Sequence, residues 1–347
     1  MVSFRHRLAD MRRLGRTALD AYPLVDPRMR LVGDMENTTF RVEAFEADPE
    51  VAWPTPGGRA RFLLRVHRPQ RHGRSVDTVA AIRSELLWLT ALRADTDLLV
   101  PEPLLTRGGD VTVTVSSAAV PETRTCSVLR WMDGSRHTAA PRPRHVRMIG
   151  AAMAGLHNHA DEWSLPHGFV RIHWDWDAFF GDTMEYGGIS ALECWPLLPK
   201  DLRAHFDEVA SRAGHLMKEL GHGSDVVGLI HADLHLDNAI FKPGGVRLID
   251  FDDCGFGYRL YDVAVTLWEL RHRADYLSFH DAMVEGYTQH RPLPDDQLAH
   301  LDTFIATREV GVGLWFAGMA QVKSSFREYL DDELARIRDS LDVLLAN

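Results

Sequence analysis

The spacing of apolar and polar positions changes character several times along the chain. Residues 1–28 read as a helical lead-in that ends near Pro23 and Pro27. Beyond it, residues 30–33, 37–45 and 61–67 carry alternating or β-branched apolar side chains, the period of a strand with one buried face. Pro54, Pro56, Gly57 and Gly58 predict the turn between the second and third of these strands. Over residues 77–92 the period lengthens. Ile82, Leu86, Leu89 and Leu92 fall on one helical face, and Asp77 stands where an N-cap is wanted. Two further strand-like runs cover residues 111–116 and 126–131. Asp133-Gly134-Ser135 and Pro141-Arg142-Pro143 then interrupt the pattern and predict a boundary near residue 132.

Past that boundary helical spacing dominates. Met148, Ile149, Ala152, Met153 and Leu156 line one face of a helix over residues 145–157, and residues 201–220 form a second amphipathic candidate. Residues 173–180 between them are aromatic and irregular. Residues 228–253 return to strand and loop, and helices are expected over 262–271, 277–289, 296–315 and 326–345. No internal repeat is visible. The pattern predicts an α+β chain of two lobes: a strand-rich one over residues 1–132 and a helix-rich one over residues 133–347.

Composition narrows the function classes. A chain of 347 residues with 45% hydrophobic and 25% charged residues is ordinary for a globular protein with room for two cores. The net charge of −10 argues against nucleic acid as a partner, because that surface must be basic. No apolar run reaches the roughly 20 residues of a membrane span, so no membrane partner is expected. Residues 1–16 mix Arg and His with Asp10 and lack an apolar core, so no secretory signal is expected there. Cys126, Cys194 and Cys254 have no paired spacing, which fits a reducing, cytoplasmic setting.

The chemistry concentrates in residues 228–253. His231, Asp233 and Asn238 form H-x-D-x-x-x-x-N; two short strands joined by Lys242-Pro243-Gly244-Gly245 follow; Asp250 then stands after an apolar strand. This spacing suits phosphoryl transfer. The loop Asp accepts a hydrogen bond from an attacking hydroxyl, while the Asn and the second Asp hold Mg²⁺ against nucleotide phosphates. The hairpin would bring residues 238 and 250 to the same end of its ladder. His231 is expected to brace the loop, and Asp262 to act as a structural brace beneath it. Another chemistry uses the same residues: His231, Asp233 and His235, joined by His157 and His159, could bind zinc in a hydrolase. Cys254 reads as a packed small hydrophobe.

These residues resemble the aminoglycoside phosphotransferase / choline kinase-like family, which has a protein-kinase-like fold. That family's motif is close to H-G-D-x-x-x-x-N followed by I-D-[FW]-[DE]; here it reads His231-Ala-Asp233 to Asn238, then Ile249-Asp250-Phe251-Asp252. Gly257-Tyr-Arg-Leu-Tyr-Asp262 resembles its next helix start. Upstream, Gly33 to Val42, with Asn37 and Thr38, is similar to its nucleotide-covering hairpin. Arg65 stands at its phosphate-binding cation and Glu85 at that cation's helical partner. Trp131 and Met132 resemble its hinge. Gly286-Tyr287 and Arg291-Pro292-Leu293 point to the homoserine kinase and stress-response kinase-like branch.

The resemblance implies an ATP- and Mg²⁺-dependent kinase acting on a small hydroxylated substrate, with the nucleotide between the lobes near residues 130–133. Asp233 would be the base, Asn238 and Asp250 the metal ligands, and Asp252 would stand beside the metal. Asp175 and Trp176 would line an acceptor pocket, carboxylate and aromatic face both suiting an amine. A protein Ser/Thr kinase and a non-catalytic nucleotide-binding protein share the same core. Two departures stand out. Arg65 occupies a position that normally holds Lys, and the covering hairpin lacks G-x-G-x-x-G, leaving backbone N–H groups with Asn37, Thr38 and Thr39 to hold phosphate. Alternation in the strand puts Arg65 on the face of Leu63, opposite Leu64 and Val66.

Overall fold

The chain begins with helix α1 (Phe4–Leu19), strands β1 (Leu24–Asp34), β2 (Thr38–Glu46) and β3 (Ala60–Val66), helix α2 (Thr78–Asp95), and strands β4 (Val113–Ser117) and β5 (Val120–Arg130). This is a computed structural model, and it describes residues 4–46, 58–69, 76–118, 120–186 and 188–346. The expected turn at Pro54, Pro56 and Gly57 lies outside those residues. The five strands form one antiparallel sheet in the order β1-β2-β3-β5-β4.

In β3 the period of two is visible in the packing. Phe62, Leu64 and Val66 are buried in one apolar cluster with Leu14, Ala18 and Leu19 of α1 and Val128 of β5. Arg65 therefore points to the other face. The absence of a side chain at Gly15 lets α1 lie directly on the sheet, since a Cβ there would come within 2.7 Å of the Met29 methyl and 2.9 Å of Leu64. One expectation fails here. The lead-in helix stops before Pro23, and Pro27 lies inside β1, at a register irregularity between Val25 and Arg28. β1 is an edge strand, where a residue without an N–H is tolerated.

The rest of the chain runs through α3 (Pro143–Glu162), β6 (His173–Trp174), α4 (Trp176–Phe180), β7 (Glu185–Tyr186), β8 (Ile189–Ser190), α5 (Ala191–Cys194), α6 (Lys200–Leu220), β9 (Val227–Ile230), β10 (Ala239–Lys242), β11 (Gly245–Leu248) and β12 (Gly255–Tyr258). It ends with α7 (Arg259–Trp268), α8 (Tyr276–Thr288), α9 (Asp295–Leu298), α10 (Leu301–Val322), α11 (Ser324–Arg327) and α12 (Leu330–Leu345). Each of the last two expected helices is thus a short helix followed by a long one. Helices α3 and α8 cross closely through Gly286, where a Cβ would stand 2.0 Å from the Arg147 carbonyl oxygen.

The described residues form two compact units. One contains those of Met1–Arg71, Thr78–Asp95 and Val100–Asp133; the other contains those of His72–Asp77, Thr96–Leu99 and Gly134–Asn347. Cys126, Cys194 and Cys254 are all buried. Among the described residues no helix is long and apolar enough to cross a membrane.

Candidate active site

Strand β9 delivers the chain into a loop whose backbone is held from below by α7. The Asp262 carboxylate, fully buried, accepts hydrogen bonds from the His231 N–H at 2.8 Å and the Ala232 N–H at 2.6 Å. His157 of α3 reaches the same carboxylate at 3.1 Å and Tyr287 of α8 at 2.8 Å. Ala232 has φ +66°, a left-handed conformation that costs a residue with a Cβ roughly 1–2 kcal/mol. The family motif resembled here carries Gly at this place, and the two bonds to Asp262 hold the backbone in that conformation despite the methyl. His231 is fully buried; its Nε2 meets the Ile249 carbonyl at 3.0 Å and its ring packs on Phe251. It ties the loop to the hairpin.

Asp233 sits at the head of this loop with its carboxylate partly exposed. Its Oδ1 accepts from Arg308 Nη2 of α10 at 2.5 Å. Its Oδ2 lies 3.3 Å from Asn238 Nδ2 and 3.6 Å from His235 Nε2. Burial opposes its charged form, but Arg308, and after it His235, outweigh that and hold the carboxyl well below its usual range. His235 lies between Asp233 and Glu269 of the turn after α7, whose carboxylate is 3.5 Å from Nδ1. Burial disfavours its cation, yet the nearby Asp233 and Glu269 carboxylates raise its pKa to about 10. Both carboxylates favour the imidazolium form of His235.

The hairpin β10–β11 turns at Gly244 and Gly245, with φ +102° and +139°, conformations open to glycine. Ala239 pairs with Leu248, and the Ile249 N–H donates to the Asn238 carbonyl at 2.9 Å. Residues 238 and 250 thus leave the ladder at the same end. Asn238 donates its amide nitrogen to the Asp233 carbonyl at 2.8 Å, which assigns its Oδ1 as the acceptor atom. Asp250, at φ +64°, is exposed, and Asp252 is buried. An amide oxygen and carboxylates are the donor set of a hard divalent cation. Among the described residues no three His, Cys, Asp or Glu side chains converge to hold a metal by themselves. A cation at Asn238 and Asp250 would need phosphate or water oxygens to complete its shell, as magnesium does.

The zinc reading loses its extra ligands. His157 is committed to Asp262 and Tyr287, and His159 stacks on Trp163. Asp175 and Trp176 are not brought to the Asp233 loop. Strand β6 pairs parallel with β12, so the chain after Trp174 continues toward Tyr258, whereas the loop departs beside Gly255. Asp175 caps α4 by accepting from the Ala178 N–H at 3.0 Å, and Trp176 Nε1 donates to the Ala210 carbonyl at 2.8 Å. Both line a cavity of about 1060 Å³ with Phe180, Trp195 and Tyr258 that includes none of Asp233, Asn238, Asp250 or Asp252.

In the other unit, Arg65 and Glu85 meet. Arg65 Nη2 donates to Glu85 Oε1 at 2.5 Å, and both side chains are buried. The Thr38 hydroxyl donates to Asp34 at 2.7 Å, the Thr39 hydroxyl donates to the Gly33 carbonyl at 3.3 Å, and Asn37 Oδ1 accepts from the Arg68 N–H at 3.1 Å. These bonds fix the tip of the hairpin. Trp131 donates its N–H to the Arg61 carbonyl at 3.0 Å, and Met132 follows it at the end of β5. Breaking a buried ion pair from one side leaves an unpaired charge. Arg65→Ala and Glu85→Ala are each expected to destabilise this unit by about 3–5 kcal/mol. The double variant should be little worse than the worse single one, measured as denaturation midpoints; additive losses would mean the two side chains are energetically independent.

Sequence reasoning did not single out Arg308 or Glu269. The signal for Arg308 was present: Arg308 and Glu309 are adjacent charges inside the apolar run of α10, where charges persist only when partnered.

The sequence model of the phosphotransferase enzyme family matches residues 29–296. An uncharacterised protein of Deinococcus radiodurans is 29% identical over 307 residues, 86% of this chain and 79% of that one. A homoserine kinase of Nitrobacter winogradskyi is 30% identical over 171 residues; the chain spans about half its length, 47%. Among solved structures, the microcompartment-associated aminopropanol kinase aligns with TM-score 0.78 and 27% identity over 96% of this chain and 97% of that chain. An amicoumacin kinase in complex with AMP-PNP, Ca²⁺ and Ami shares the fold, with TM-score 0.72 and 18% identity over 97% of this chain and 96% of that chain.

Proposed function

Because the chain belongs to the phosphotransferase enzyme family, we propose that it transfers the γ-phosphate of MgATP to a hydroxyl of a small, amine-bearing molecule. The observation that supports this most is the frame around Asp233. One loop, braced by Asp262, sets Asp233 against Asn238, and the hairpin returns Asp250 to the end of the ladder where Asn238 stands. Relatives named for homoserine and aminopropanol supply the acceptor class, since both molecules carry a hydroxyl and an amine.

In this reading Asp233 accepts a hydrogen bond from the acceptor hydroxyl and takes its proton as the new P–O bond forms and the bond from the γ-phosphorus to the bridging oxygen breaks, with ADP as the leaving group. Asn238 Oδ1 and Asp250 would hold Mg²⁺, with Asp252 beside them. When bound, the metal neutralises charge on the phosphates. Arg65, oriented by Glu85, binds phosphate oxygens. Gly33, Asn37, Thr38, Trp131 and Met132 are the nucleotide-contacting residues that the family resemblance implies. Most of the acceleration is positioning and charge compensation. Arg65 in place of Lys does not by itself favour a non-catalytic protein, because its ion pair with Glu85 is made.

The test is ADP release by the purified chain with MgATP and a panel of homoserine, aminopropanol, ethanolamine, choline, an aminoglycoside and a Ser/Thr-rich protein. We expect release that depends on a small acceptor, with a phosphate monoester in the product. Phosphorylation of the protein alone would favour the protein-kinase reading. Hydrolysis that depends on zinc would favour the hydrolase.

A further inference from the structure

Arg308 lies in this neighbourhood but outside the motif. It sits in α10, among Phe304, Ile305, Val312 and Leu314, all buried. Burying an arginine stem and fork in such a helix is unfavourable unless the charge finds a partner. Its charged partner is Asp233, 75 residues away in sequence and 2.5 Å away in space, and Tyr261 of α7 also bonds to it. Both side chains are about four-fifths buried, 18% and 20% exposed, so solvent screens the pair far less than it would a surface ion pair.

We propose that Arg308 is a positioning residue, which holds the Asp233 carboxylate in the orientation that receives the acceptor hydroxyl. The inference rests on the reading of Asp233 as the base.

Three observations carry it. First, Arg308 holds Oδ1 through a charge-assisted bond, while Asn238 and His235 stand at 3.3 and 3.6 Å from Oδ2. The rotation of the carboxylate is therefore set chiefly from α10. Second, Arg308 is itself anchored, with its guanidinium 5.4 Å over the ring of Trp268, whose ring also lies 5.7 Å from the Arg336 guanidinium of α12. Third, the backbone of the same loop is held from α7 by Asp262, so neighbouring helices fix main chain and side chain separately. A carboxylate offers about four acceptor sites, so the bonds from Arg308 and Asn238 leave room for a hydroxyl.

The experiment compares kcat and KM of the wild type with Arg308→Met, Asp233→Asn and the double variant, using ATP and the acceptor the panel identifies. Arg308→Met is expected to lower kcat roughly 10²-fold, the penalty of a misplaced group, with the KM for ATP unchanged. In the Asp233→Asn background the same change should cost less than about two-fold, because the residue acts through Asp233. Equal losses in the two backgrounds would show a general structural role and overturn the inference. An unchanged kcat would overturn it too, and a rise would make the pair an inhibitory clamp. Should Arg308→Met fail to fold, Arg308→Gln, which keeps a donor and most of the bulk, is read in the same way. Turnover by Asp233→Asn alone tests the base assignment separately. Near wild-type activity there rejects the base, whereas its loss beside an unaffected Arg308→Met rejects only Arg308.

Discussion

Asp233→Asn is expected to lower kcat by roughly 10²–10⁴, the contribution of a positioned general base, while leaving ATP affinity nearly unchanged. The substitution keeps the shape of the side chain and removes its charge. Asn238 would still meet the backbone carbonyl of residue 233, so the loop has reason to stay folded. Arg308, however, would lose its counter-charge in a partly buried place. Some loss of stability is expected alongside, and thermal midpoints should be recorded with the rates. Steady-state assay against the identified acceptor, together with an ATP titration, separates the two effects. Near wild-type turnover would falsify the base assignment.

Asp250→Ala should have the other large effect, through binding as well as rate. Asp250 is exposed at the end of the hairpin ladder and adopts a left-handed conformation. Losing it removes the charged member of the Asn238–Asp250 donor set. A bound metal supplies several kcal/mol of charge stabilisation, so transfer should fall by roughly 10³-fold or more. Magnesium-dependent tightening of ATP binding should disappear as well. Calorimetric titration of ATP with and without Mg²⁺ reads this directly. An unaltered magnesium dependence would move the metal to other ligands. Asp250→Asn is the companion variant, because Asn accepts the left-handed conformation as readily as Asp, so a loss shared by both variants cannot be blamed on backbone strain.

Much of this arrangement could be read before any coordinates. The alternation in residues 61–67 placed Arg65 away from the apolar face, and Phe62, Leu64 and Val66 are buried opposite it. The spacing from His231 to Asn238, with the Gly244-Gly245 turn, located the loop and the hairpin that returns Asp250. Such features are written over ten residues or fewer: strand period, turn glycine and loop spacing are local consequences of backbone geometry. Pro27 was misread because a proline looks like a breaker until the strand containing it is known to be an edge.

What only the tertiary structure decided lies in long-range packing. Asp175 and Trp176 looked like an acceptor pocket by chemistry. The parallel pairing of β6 with β12 directs the chain toward the opposite end of that strand from the Asp233 loop, and no local pattern encodes that direction. Ala232 could be seen as a departure from the glycine of the resembled motif. That it takes φ +66° under two bonds to Asp262 depends on where α7 lies. Arg308 and Glu309 were legible as charges in an apolar helix, but the partner of Arg308 was not. A 3.6-residue period shows which face of a helix is buried; the side chain 75 positions away that meets it is chosen by how α10 packs beside the Asp233 loop.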